Sequence, residues 1–186
     1  MKSKLQDFRP DGGKIRFTNT PDGFKIRYGV WNTGAIGTIF FLNGRTEYIE
    51  KYSDTISKFL KRQFSVVSLD WRSQGLSQRY FGRRDIGHIN DYKEYQTDLK
   101  TLMSLEEIKK LPKPFVLVSH SMGGLIGLRA ISNKNHCFSA AIFSAPAWGA
   151  KIFENAVLNL IKGLAPVIKT PGIAKIKLYP GGKQPY

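Results

Sequence analysis

Phe115-Val116-Leu117-Val118-Ser119-His120-Ser121-Met122-Gly123-Gly124 decides the fold of this chain. A continuous apolar run rich in β-prone residues meets a serine, two glycines and a helix-forming stretch, Met122 to Ser132. The pattern reads as strand, sharp turn, helix, with Ser121 at the apex. A turn that tight lifts the serine Oγ out above the sheet. Small residues two before and two after such a serine let strand and helix approach each other. Here they are Ser119 and Gly123, with Gly124 behind. Ser121 is therefore the candidate nucleophile, and Ser119, His120, Gly123 and Gly124 form its turn.

Outward from that stretch, apolar runs alternate with helical patterns. Lys14 to Thr18 alternates, Pro21-Asp22-Gly23 turns, and Phe24 to Trp31 resumes with period two, which predicts an antiparallel hairpin. Thr38 to Leu42 is apolar throughout, as in a strand buried on both faces of a parallel sheet. Tyr48 to Arg62 carries Tyr52, Ile56, Phe59 and Leu60 at helical spacing. Phe64 to Leu69 is the next strand, and Asp70 to Asp91 a long Gly- and Arg-rich connection of a length that is often functional. Tyr92 to Leu105 reads as a helix and Phe138 to Phe143 as a sixth strand. Alternating strands and helices imply an α/β fold, a mostly parallel sheet opened by the hairpin. Residues 1–149 form its core. Residues 150–186 differ. An apolar helical stripe from Ile152 to Ala165 ends near Pro166 and reads as the start of a cap or lid, or as a helix that meets lipid.

A length of 186 residues suits one such domain. Hydrophobic content of 41% against 23% charged excludes intrinsic disorder as the default. The lone cysteine, Cys137, leaves no intrachain disulfide and fits a reducing compartment. Met1 to Pro10 has no apolar leader region, and no stretch reaches the ~18 apolar residues of a membrane span, so a cytoplasmic location is expected. The net charge of +15 is unevenly spread. Residues 1–121 hold 21 basic and 13 acidic side chains, whereas 122–186 hold 8 and 1. The charge reads as a lysine-rich solvated surface or, in the basic C-terminal third, as peripheral contact with an anionic membrane at its inner face. No basic patch with interleaved aromatics is present, so no nucleic-acid partner is expected. No metal and no cofactor is expected either.

Acyl transfer at Ser121 requires two N–H groups aimed at the developing oxyanion. One falls to Met122, the residue after the serine. The other falls to the loop after the third strand, Asn43-Gly44-Arg45, and is assigned to Arg45.

Three ordered motifs then carry a resemblance: Phe41-Leu42-Asn43-Gly44-Arg45-Thr46-Glu47-Tyr48, Asp70-Trp71-Arg72-Ser73-Gln74-Gly75-Leu76-Ser77, and the stretch around Ser121. Together, over roughly residues 10–150, they resemble the bacterial lysophospholipase and monoacylglycerol-lipase branch of the α/β-hydrolases, also described as serine-aminopeptidase-like. Asn43 stands where that family usually has His, and Ser73 and Ser119 where it has Gly. The resemblance implies a serine hydrolase acting on lipid carboxylic esters such as lysophospholipids or monoacylglycerols. It also implies an acid and then a histidine base after a cap insertion.

After Ser121 the sequence holds only Glu154 and His136, so the catalytic acid and base are not found in it. By the same resemblance the chain ends inside the cap, strands seven and eight are missing, and the sixth strand is expected to carry an open edge. His136 is expected at the wrong end of the sheet. His88 is read as ordering its loop, His120 as packing below the turn, and Asp70 as tied to Arg72. A thioesterase or peptidase of the same fold is an alternative, as is a non-catalytic domain that binds membrane or protein.

Overall fold

Both faces of the central strands are apolar, and each face gathers its own core. A computed structural model describes residues 10–148. Strands β1 (Lys14–Asn19) and β2 (Lys25–Trp31) form the predicted hairpin, turned at Pro21-Asp22-Gly23. Strands β3 (Thr38–Leu42), β4 (Ser65–Asp70), β5 (Phe115–His120) and β6 (Phe138–Ser144) complete the sheet. The sheet order is β1-β2-β4-β3-β5-β6, with β2 antiparallel to β4 and every later pairing parallel.

Period two along β3 sends Phe40 and Leu42 to one face and Ile39 and Phe41 to the other. The first face packs on helices α2 (Lys93–Ser104) and α3 (Glu106–Lys109) through Leu99, Leu102 and Ile108, and on α4 (Met122–Ile131) through Ile126. The second packs on α1 (Ser53–Lys61) through Ile56, with Trp31, Ile49 and Val118 beside it. Every residue of β3 and β4 is buried. Such burial is what a continuous apolar run requires in a sheet covered on both faces.

Local corrections to the sequence reading are few. The helix expected from Tyr48 starts as a 3-10 turn, Ile49–Tyr52, whose first N–H, that of Ile49, donates to the Asp70 carboxylate at 2.9 Å. The short α3 was not anticipated: Leu105 has extended backbone and interrupts what would otherwise be one longer helix. The strand before the candidate serine runs one residue further, through His120. The connection from Asp70 to α2 has no regular element, as expected.

Among the described residues β6 pairs with β5 alone, and much of it is exposed, Ile142 included. Residues 150–186, the expected cap with its apolar stripe and Glu154, lie outside the described residues, as does most of the basic C-terminal third. No helix of the described part is long and apolar enough to cross a membrane.

Candidate active site

The parallel strands β3, β4 and β5 all end on one edge of the sheet, where crevices for ligands form in open α/β folds. Three segments meet there: the turn at Ser121, the loop from Asn43 to Tyr48, and the loop from Trp71 to Ser77.

Ser121 bridges β5 and α4 with φ +50° and ψ −117°, a conformation that L-residues seldom adopt. Three hydrogen bonds hold it. Its N–H donates to Ser144 O at 3.1 Å, and its carbonyl accepts from Gly124 N–H at 2.9 Å and Ala147 N–H at 3.0 Å. Met122 is the first residue of α4, so its N–H belongs to the unpaired set at a helix N-terminus. Gly123 admits no side chain: a Cβ there would sit 2.3 Å from Leu42 O and 2.5 Å from Asn43 O. A Cβ at Gly124 would sit 2.7 Å from Pro146 Cβ. Ser119 is buried, and its Oγ donates to Ile142 O at 3.3 Å. These two glycines bring α4 down onto the end of β3 and onto the segment after β6.

The loop after β3 lies directly over the serine. A Cβ at Gly44 would be 3.1 Å from Ser121 Cβ. Gly44 N–H donates to Glu47 Oε2, and Thr46, at φ +61°, donates its N–H to Gln74 Oε1. Arg45, between them, has an exposed side chain, and its N–H meets no acceptor among the described residues. Asn43, in place of the family's histidine, is fully buried. Its Nδ2 donates to Leu69 O at 2.9 Å, its carbonyl accepts from Trp71 Nε1 at 2.9 Å, and its Oδ1 has no partner among the described residues.

Glu47 is a hub. Its carboxylate accepts from Lys51 Nζ at 2.6 Å and from Tyr52 O–H at 2.7 Å, besides Gly44. Burial raises its pKa, but those three donors outweigh burial and hold it below the usual carboxylate range. Burial, and the hydrogen bond to Glu47, push the Tyr52 phenol up.

The loop after β4 is fixed by two buried ion-pair groups. Asp70 faces Arg27 at 2.8 Å, and Arg27 also binds Glu50. The Asp70 carboxylate further accepts from Ile49 N–H and Leu76 N–H, both at 2.9 Å. Ser77 Oγ donates to Asp70 O at 2.6 Å and accepts from Arg27 N–H at 2.8 Å. Gly75, at φ +50°, leaves space for that carboxylate: a Cβ would lie 2.3 Å from Asp70 Cγ. Arg72 is fully buried and binds Asp98 at 2.7 and 2.9 Å and Asp22 at 2.7 and 3.2 Å, over the ring of Phe24. The expected pairing of Asp70 with Arg72 is thus corrected. Asp70 is structural, but its cation is Arg27, because β2 runs beside β4 and sets Arg27 opposite Asp70.

The histidines are dispersed. His120 lies on the opposite side of β5 from Ser119, with Nε2 3.8 Å from Glu47 Oε1 and its ring beside Tyr52. His88 sits against Tyr80 and Phe81 and contacts Asn90 at 3.0 Å. His136 is exposed between α4 and β6, at the far edge of the sheet. Sequence reasoning did not find Gln74 or Tyr52. Gln74 sat at an unconstrained position of its motif, and Tyr52 read only as one side of a helical stripe.

The six-stranded order, with the serine turn between β5 and α4, defines an α/β-hydrolase. A family model described as serine aminopeptidase, S33 (Hydrolase_4) matches residues 34–179, and the chain belongs to that family. It is 29% identical over 163 residues to the monoacylglycerol lipase of Mycolicibacterium smegmatis, a match covering 86% of this chain and 52% of that protein. It is 31% identical over 111 residues to lysophospholipase L2 of Escherichia coli K12, covering 59% and 32%. Among solved structures, a thermostable carboxyl esterase from Bacillus coagulans superposes with a TM-score of 0.67 at 20% identity, over 85% of this chain and 52% of the esterase. The matched stretches therefore span about a third to a half of these relatives.

Proposed function

We propose that this chain carries the nucleophile and oxyanion hole of a serine hydrolase acting on lipid carboxylic esters, of the lysophospholipid or monoacylglycerol type. The observation that carries the reading is the backbone of Ser121, at φ +50° on the junction of a buried strand and a helix N-terminus. A strained serine held by three hydrogen bonds at the sheet edge is what an exposed nucleophile needs. The kinship to a monoacylglycerol lipase and a lysophospholipase supports the substrate class.

In this mechanism Ser121 Oγ attacks the ester carbonyl carbon and gives its proton to a base. The carbonyl π electrons move to oxygen, and the N–H groups of Met122 and Arg45 receive that oxyanion. The tetrahedral species collapses, the glycerol alkoxide leaves with a proton, and water then hydrolyses the acyl-serine. We assign the base and its orienting acid to no described residue and place them outside this sequence, in keeping with the partial span of the relatives. Turnover by this chain alone is accordingly expected to be slight.

Covalent labelling is the direct test. An alkyl fluorophosphonate in excess at alkaline pH, where solvent hydroxide takes the serine proton and fluoride leaves, is expected to add one phosphonyl group to the chain slowly, located at Ser121 by peptide mass, and to fail on Ser121→Ala. Labelling at another residue, or undiminished labelling of the variant, overturns the assignment. Release of fatty acid from a lysophosphatidylcholine or a monoacylglycerol, measured with the same pair, reports the substrate class.

A further inference from the structure

We infer that Glu47 and Gln74 are positioning residues: they occupy the two peptide N–H groups flanking Arg45 and leave the Arg45 N–H between them free to donate to a ligand. The inference rests on the proposed role of Ser121 and deepens it.

Three consecutive peptides begin at Gly44, where a Cβ would lie 3.1 Å from Ser121 Cβ. The first, at Gly44, donates to Glu47, and the third, at Thr46, donates to Gln74. The middle one has no acceptor among the described residues. Arg45 and Thr46 are exposed, so the free N–H meets solvent at no burial cost, and what a ligand there requires is that its direction be fixed. Here the surroundings do fix it. Glu47 is 6% exposed and held by Lys51 and Tyr52. Gln74 is 1% exposed, and its Nε2 donates to Tyr95 Oη at 3.3 Å. Its backbone is closed into a turn by Gln74 N–H to Trp71 O at 2.9 Å and Ser77 N–H to Gln74 O at 3.1 Å. One acceptor lies three residues along the same loop; the other lies 28 residues away on the loop after β4. The two loops are thereby tied together above Ser121. The left-handed Thr46 reverses the chain at that point, so its N–H can reach across to Gln74.

Amide exchange read by NMR on the full chain tests the clamp without requiring turnover. Gly44 and Thr46 amides are expected to be protected, and Arg45 to exchange about tenfold faster or more. Gln74→Met keeps the side-chain length and removes the acceptor, so Thr46 loses protection; Gln74→Glu restores the acceptor and the protection. An Arg45 amide as protected as its neighbours overturns the inference, and so does Thr46 protection unchanged in Gln74→Met.

A second arm uses octylboronic acid, which adds to a serine hydroxyl as a tetrahedral anion. The Arg45 and Met122 amide protons are expected to move downfield together in the wild type. In Gln74→Met only the Met122 shift is expected to survive, with recovery of the Arg45 shift in Gln74→Glu. An Arg45 shift unaltered in Gln74→Met overturns the inference. No adduct on the wild type, or the same adduct on Ser121→Ala, would sink the nucleophile reading instead, and the exchange data then judge the clamp alone.

Discussion

A methyl group at position 123 is the sharpest perturbation this structure offers. In Gly123→Ala the new Cβ would lie 2.3 Å from Leu42 O, 2.5 Å from Asn43 O and 2.7 Å from Leu42 C. All three are backbone atoms at the end of β3, fixed by pairing to β4 and β5. Relief requires helix and strand to part by nearly 1 Å, since ordinary C···O contacts are about 3.3 Å or more. Overpacking against a core that cannot yield costs about 1–3 kcal/mol, and backbone neighbours place this case near 3. Alanine returns up to ~1 kcal/mol in helix propensity. The net loss is about 2 kcal/mol, a fall in Tm of roughly 4–8 °C for a chain of this size. Gly127→Ala is the internal control. Its Cβ would meet side chains alone, Leu117 Cδ2 at 2.8 Å and Leu117 Cγ and Leu42 Cδ1 at 3.6 Å, so a small shift of the Leu117 methyl relieves the one close contact, and the same propensity gain applies. That variant is expected within about 0.5 kcal/mol of wild type. Thermal and urea denaturation followed by circular dichroism compare the three proteins. Equal stability of Gly123→Ala and wild type, or a larger loss for Gly127→Ala, would refute the argument from close approach. The same displacement also separates Met122 from Arg45, so fluorophosphonate labelling of Ser121 is expected to slow about 100-fold even where the fold survives.

The charges set three further outcomes. Arg27→Met leaves Asp70 and Glu50 buried without their cation and is expected to cost about 3–5 kcal/mol, read as a shift in the urea midpoint; a shift under ~1 kcal/mol would contradict the ion-pair account. Asp22 has its pKa lowered from 3.8 to about 2, chiefly by its hydrogen bonds to Arg72. Its contribution is present above the unfolded value and lost as pH falls from about 4 toward 2, so Asp22→Asn should flatten stability in that window, by under ~1 kcal/mol because the carboxylate is 44% exposed. The chain of net charge +15 is expected to sediment with phosphatidylglycerol vesicles at low salt and to be released by about 0.5 M NaCl, whereas binding indifferent to salt would exclude an electrostatic contact.

Periodicity made most of the sheet legible in advance. β3 and β4 are continuous apolar runs because they are buried on both faces, whereas the alternation of the hairpin located its strands but not their burial, since β2 is buried from Ile26 to Trp31 and β1 is largely exposed. The turn at Ser121 was legible for a different reason: small residues at Ser119 and Gly123 have no other use between a strand and a helix. What escaped was contact at long sequence separation. Asp70 and Arg72 are two residues apart and carry opposite charge, yet each pairs elsewhere, with Arg27 across a strand and with Asp98 on α2. Residues i and i+2 at the end of a strand share a face, but the fully buried guanidinium of Arg72 is already filled by Asp98 and Asp22. Gln74 escaped more completely. Its side chain matters through one hydrogen bond to a peptide on another loop, and no pattern in a single sequence records such a bond.

The strain at Ser121 has a definite set of supports. A non-glycine residue so far from the ordinary basins costs about 1–3 kcal/mol, which the surroundings must outweigh. None of its hydrogen bonds comes from β5, which ends at His120: one comes from Gly124 on α4, and two from the end of β6 and the short segment 145–148 beyond it. Ser144 O accepts from the serine N–H, and Ala147 N–H donates to its carbonyl. Pro146 fills the gap that Gly124 leaves open, and Trp148 packs its ring on Phe143, with Nε1 3.3 Å from Gly124 O. β6 therefore has a second task beyond pairing with β5, since its end grips the serine turn on one side while Gly44 lies against Ser121 on the other. A change that loosens β6 should accordingly be felt at the geometry of Ser121 as well as in the core, because β6 packs Phe138, Ala141 and Phe143 on that core while its end residue Ser144 and Ala147 just beyond it supply two of the three hydrogen bonds to the serine.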